Sequence, residues 1–172
     1  MLKIWGSLFI VCASTLLGMY RAAEFQKQYR EMEYVNRLLT QMQSEIRYAR
    51  SSLGEIFARM GKDACEPYKS WFFAMVDGMK RRDGGSLARI WSDSVKKCLK
   101  NAGLPGEETE RLAELGSQLV SVDIEQQIRV IDLYLARLAL SMKERREEMK
   151  AKVKLCRCLG MMGGLLIVTL LL

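Results

Sequence analysis

The chain contains no histidine. That absence removes imidazole acid–base chemistry, the triads that depend on it and every histidine-ligated metal site. Proline occurs only at Pro67 and Pro105. Long stretches are therefore free of helix breakers, and abundant Leu, Met, Ala, Glu, Lys and Arg point to helices rather than a sheet. The five cysteines are Cys12, Cys65, Cys98, Cys156 and Cys158, and none forms C-x-x-C. A zinc site would need unusual ligands. Cys156-x-Cys158 is compatible with lipid modification or redox chemistry, but small apolar packing residues are the simpler reading. No glycine-rich phosphate loop is present; Asp83-Gly84-Gly85 is a turn, and Gly103 to Gly106 is a helix break. The sequence implies no catalytic residue, cofactor or metal.

What is present is unevenly distributed. The formal charge is +7 over 172 residues. Residues 31–142 carry 16 basic and 16 acidic side chains, so the middle of the chain is neutral. Apart from Lys3, the excess lies in two short flanks, at Arg21, Lys27 and Arg30 and between Lys143 and Arg157. A nucleic-acid reader carries its basic patch on the folded domain. Here the positive flanks border apolar ends, the pattern of the positive-inside rule, and nucleic acid is not the expected partner.

The first apolar end is IWGSLFIVCASTLLGMY, Ile4 to Tyr20, with aromatic rings at both edges. As a helix it is about 25 Å long, the lower end of a spanning length. A cleaved signal peptide is the competing reading, but Arg21 interrupts the small-residue site it would need. The second end is LGMMGGLLIVTLLL, Leu159 to Leu172, apolar all round. Gly160, Gly163 and Gly164 would allow close packing against the first anchor. The expected layout is a transmembrane helix over 1–20, a helical bundle over 21–157 and a second transmembrane helix over 158–172. The basic flanks place the bundle in the cytoplasm and both termini outside, a two-pass topology.

Between the ends the apolar residues recur at helical spacing. Met32, Val35, Leu38, Leu39, Met42 and Ile46 extend the first helix. Ser51 or Ser52 caps a second, stopped by Gly61. Pro67 suits the first turn of a third, carrying Trp71, Phe72, Met75 and Val76. KRRDGG, Lys80 to Gly85, is a loop. Ser86 caps a fourth helix, ended by Gly103. Glu107, Glu108 and Glu110 open a fifth, where acids favour the positive dipole end. Asp123 caps a sixth. The fold class is all-α: an antiparallel bundle of about six helices between two terminal transmembrane helices.

Candidate interface residues are few. Glu45 borders the apolar seam of the first helix and pairs with a basic residue or meets a partner. Asp123 reads most simply as an N-cap. Lys80, Arg81 and Arg82, and Glu107, Glu108 and Glu110, are exposed charged segments open to a partner. Plain solvation is the simpler reading of both, because adjacent acids such as Glu107 and Glu108 favour water.

In this order the segments resemble the stage III sporulation protein AB family. The resemblance rests on MLKIWGSLFIVCASTLLGMY, on QMQSEIRYARSSLGEIFARM with Glu45, Ile46, Tyr48 and Leu53, on LGSQLVSVDIEQQ with Leu115, Gly116, Leu119, Asp123 and Gln127, and on the glycine-bearing C-terminal stretch. It covers essentially the whole chain. Val120 departs from it, standing where the family commonly repeats a glycine. The resemblance implies a membrane protein of endospore-forming bacteria. Its soluble domain would be similar to the cytoplasmic domain of platform protein F of type II secretion and type IV pilus machines. It further implies a platform in the mother-cell membrane around the forespore, without catalysis of its own. The implied partners are a motor ATPase, stage III sporulation protein AA, and other membrane components of the complex. Self-association is left open.

Three other classes compete. A thiol enzyme at Cys65 or Cys98 lacks a histidine base. A membrane-anchored helical regulator or adaptor with no secretion role is the alternative, and a regulator that receives a soluble ligand would need a well-formed pocket in the bundle. A pore-forming peptide would leave the large neutral bundle unexplained.

Overall fold

A computed structural model describes residues 2–48, 51–81, 85–120 and 123–171, with side chains over 23–48, 51–81, 85–120 and 123–151. Six helices follow in order: α1 Leu2–Tyr48, α2 Leu53–Asp63, α3 Tyr68–Lys80, α4 Leu87–Cys98, α5 Gly106–Gln118 and α6 Ile124–Leu171. Among the described residues there is no strand. The chain divides into two compact units, Met1–Lys27 with Met142–Leu172, and Gln28–Ser141.

The 28–141 unit is built as its periodicity dictates. Met32, Val35, Leu39 and Met42 lie on one stripe of α1 and are almost fully buried. Ser52 caps α2, its Oγ accepting from the Glu55 backbone N–H at 3.4 Å. Gly61 does not stop α2, which runs on to Asp63. A Cβ at Gly61 would lie 3.1 Å from Cβ of Phe72, so this glycine serves the close approach of α2 to α3. Pro67 stands just before α3, in the N-cap position, after a cis peptide bond from Glu66. Ser86 occupies the N-cap of α4 without a side-chain cap bond. That helix ends at Cys98, ahead of Gly103, whose φ of 93° lies in the left-handed region that favours glycine.

Helices α2, α3, α4 and α5 pack consecutively. Their shared core is aromatic. Trp71 meets Trp91 edge-on, with ring centroids 5.0 Å apart at 82°, and Phe57 and Phe72 complete the cluster. Such pairs each contribute about 0.5–1.5 kcal/mol beyond burial. Helix α1 joins through polar contacts. Tyr68 donates to Oε2 of Glu31 at 3.0 Å, and the Tyr34 hydroxyl accepts from the Cys65 backbone N–H at 2.9 Å. Gln43 ties α1 to α6, donating through Nε2 to Oδ1 of Asp132 at 2.6 Å and to the Ile128 carbonyl at 3.3 Å.

Among the described residues no helix is long and apolar enough to cross a membrane. The two stretches expected to do so, 1–20 and 158–172, lie outside the residues whose side chains are described. Gly160, Gly163 and Gly164 lie there with them.

Candidate functional site

The sequence offered three charged segments, and the structure treats each differently. Glu45, on α1, pairs with Arg59 of α2 at 3.2 Å, and both side chains reach solvent. It is a bundle contact of modest worth, about 0–1 kcal/mol for an exposed pair. Lys80 and Arg81 are exposed at the C-terminal end of α3, where cations suit the negative dipole end. Arg82 lies outside the described residues. Among the described residues no ion pair links these two segments to each other or to α5.

The acidic start of α5 carries the main correction. Glu107 and Glu110 are exposed as expected. Glu108 is not solvated: it is 1% exposed. Three residues on, Arg111 donates from Nη1 to its Oε1 at 3.0 Å and holds Glu107 with its other nitrogen. The helical period explains the difference. Glu108 shares the inward face of α5 with Leu112 and Leu115, whereas Glu107 and Glu110 sit on the outward one. A carboxylate can be buried at this position because a cation follows within one turn.

Glu108 also helps set the character of a cleft between α5 and α6. Its lining includes Arg111, Glu114, Leu133, Tyr134 and Arg137. Burial raises the Tyr134 hydroxyl well above its ordinary pKa, and the Glu108 carboxylate pushes the same way, with Arg111 opposing. The cleft encloses about 50 Å³. That is room for a water or two and not for a metabolite. An open depression near Asp123, lined also by Arg129, Val130 and Leu133, adjoins it.

Asp123 is the N-cap that its position suggested. Its Oδ1 accepts from the Glu125 backbone N–H at 3.1 Å, and its carbonyl accepts from the Gln127 N–H at 3.0 Å. Gln127, which is buried, donates in turn to the Leu119 carbonyl at 3.1 Å and closes the α5–α6 connection. Neither this bond nor the Gln43 clasp has a signal in sequence, since a glutamine with a polar neighbour, Ser44 beside Gln43 and Gln126 beside Gln127, reads as an ordinary solvated position.

Reactive chemistry is sparse. Cys65 and Cys98 are free thiols. Burial holds the Cys98 thiol above its ordinary pKa, the wrong direction for a nucleophile at neutral pH. Among the described residues no three Cys, Asp or Glu side chains are grouped to hold a metal ion. The geometry that remains is a surface one. Leu133 and Leu140, 50% and 57% exposed, stand one heptad apart on α6 beside Arg129 and Arg137, with the acidic outer face of α5 across the cleft.

The sequence is similar to known proteins along almost its entire length. The sequence profile of stage III sporulation protein AB matches residues 3–172. Stage III sporulation protein AB of Bacillus subtilis (strain 168) is 28% identical over 171 residues, covering 99% of each chain. A solved structure of a stage III sporulation protein AB shares the fold with a TM-score of 0.64. It is 23% identical and covers 72% of this chain and 97% of its own. The ordered segments, the helical bundle and the full-length match agree: the chain belongs to the stage III sporulation protein AB family.

Proposed function

We propose that the protein is a two-pass membrane protein of the mother cell and the platform of a secretion-like complex between mother cell and forespore. The bundle faces the mother-cell cytoplasm and couples a motor ATPase, stage III sporulation protein AA, to the membrane assembly. The observation that carries this reading is the make-up of the two long helices. Helix α1 and helix α6 each contain a charge-free terminal stretch, a basic flank and a bundle segment in one unbroken helix. A platform that transmits mechanical work needs such continuity, because a loop between anchor and bundle would dissipate it. The absence of proline before Ser51 and after Asp123 supports the same reading. So does the α5–α6 cleft, whose volume of about 50 Å³ is too small for a metabolite.

The ATPase contact in this reading uses one of two charged segments, the one that carries the exposed Lys80 and Arg81 and includes Arg82 in sequence, or the start of α5 with the exposed Glu107 and Glu110. The test is affinity recovery of the full-length protein, solubilised in detergent from sporulating cells. The wild-type chain is expected to bring down the motor ATPase. Reversing the charges at Glu107 and Glu110 should reduce that recovery if helix α5 is the contact, and reversing Lys80 and Arg81 should do so if the end of α3 is. Absence of the ATPase from a folded, membrane-derived wild-type sample would overturn the coupling.

A further inference from the structure

The outer face of the α5–α6 pair is polarised. Glu107, Glu110 and Glu114 line the outward side of α5 at spacings of three and four, and all three are exposed. On α6 the outward side presents Arg129 and Arg137, also exposed, with Leu133 and Leu140 between and beyond them. Among the described residues, Glu110, Glu114, Arg129 and Arg137 make no ion pair within their own bundle. One face thus carries unpaired charge of both signs, separated along two neighbouring helices, with two half-exposed leucines beside it.

We infer that this face is a self-association surface, on which a second copy of the chain docks about a two-fold axis running parallel to α6. The charge pattern selects the axis. Helices α5 and α6 run antiparallel, because Leu119 meets Gln127 at one end while Glu108 acts on Tyr134 further along. An axis parallel to the helices sets the acidic α5 of each copy over the basic α6 of the other. An axis in the same plane but across the helices would set α5 over α5 and α6 over α6, joining like charges. Only the first arrangement is self-complementary.

The heights agree as well. Counting from the Leu119–Gln127 hydrogen bond at 1.5 Å per residue, Glu110 lies within about 2 Å, along the axis, of the level of Arg137. Glu114 lies within about 5 Å of the level of Arg129. Long arginine side chains span both offsets. An axis parallel to α6 preserves these heights, so Arg137 meets Glu110 of the second copy and Arg129 meets its Glu114, each pair occurring twice. Leu133 and Leu140 then meet near the axis and leave water. Two α6 helices related in this way point in the same direction, as copies inserted in one membrane require. That compatibility rests on the membrane reading above; the pairing itself does not.

The experiment uses purified full-length protein in detergent micelles, with mass measured by light scattering after correction for detergent. Wild type is expected to be a dimer. Two charge-reversed variants, R129E/R137E and E110R/E114R, are expected to dissociate with a dimer constant weakened by about tenfold or more. Mixed one to one, they should form a heterodimer, because each now carries the charge that the other lacks. A misfolded variant could not give that rescue, and equal helicity by circular dichroism provides the second control. A monomeric wild type would overturn the inference, and so would dimers that survive both reversals or helical variants that fail to pair when mixed. No ATPase is present in these measurements, so their failure is distinct from failure of the platform reading.

Discussion

Gly116 lies directly against Trp91. A Cβ built on Gly116 would stand 2.3 Å from both Cγ and Cδ1 of the indole, far inside contact distance. The same indole donates from Nε1 to the Leu112 carbonyl, one turn earlier on α5, at 2.7 Å. Helix α5 can therefore lie on the aromatic core only if position 116 has no side chain. Gly116→Ala is expected to destabilise the bundle by about 1–3 kcal/mol or more through overpacking. Thermal unfolding of wild type and variant checks this, and an unchanged midpoint would mean that α5 packs elsewhere.

The Glu108–Arg111 pair predicts an order of effects. Arg111→Met leaves the buried Glu108 carboxylate without its cation. The expected cost is about 1–3 kcal/mol, at the modest end because Arg111 is itself partly exposed. The double substitution Glu108→Leu with Arg111→Met removes the stranded charge along with its partner. It should be less destabilising than Arg111→Met alone. Denaturant midpoints measured for the single and double variants decide the order.

Tyr68 and Tyr134 predict an alkaline limit to stability. Burial raises both hydroxyls above their ordinary value of 10.0, and Glu31 adds to the effect at Tyr68. The neutral form is thus favoured in the folded state. Their contribution is fully present below about pH 10 and is lost as pH rises toward the higher folded values. Each tyrosine adds a slope of about 1.4 kcal/mol per pH unit in that range. Melting temperatures should be insensitive to these groups at neutral pH and fall above pH 10. The fall should be shallower in Tyr134→Phe, which keeps the ring and removes the titrating hydroxyl.

Asp123→Ala should cost about 1 kcal/mol, because it removes the acceptor at the start of α6, whereas Asp123→Ser should retain most of the stability. Equal losses for both would show that the carboxylate acts through its charge rather than as a cap.

The helices were legible because burial follows period. The stripe through Met32, Val35, Leu39 and Met42 and the groups around Trp71 and Trp91 are core positions, as their spacing required. Asp123 was legible too, since an aspartate at the start of a stretch with helical apolar period, Ile124, Ile128 and Ile131, has one common structural use. The misreadings share a cause. Gly61 looked like a helix stop because glycine often is one, but here α2 continues past it and the glycine sits at the close approach to Phe72. Glu108 looked solvated because its neighbours are charged, but a single 100° step along the helix turned it inward onto Arg111. Gln43 and Gln127 hold helices together by bonds to distant backbone carbonyls, which no local pattern encodes. The charge polarity of the α5–α6 face was likewise out of reach, because it arises only when two helices separated in sequence lie side by side.

The central claim is that the protein anchors a motor ATPase to the mother-cell membrane. The most direct measurement is the share of stage III sporulation protein AA that sediments with membranes from sporulating cells, with and without this protein. The account predicts membrane association in the wild type and loss to the soluble fraction when the protein is deleted, with recovery on re-expression. An ATPase that sediments equally in both strains would contradict it.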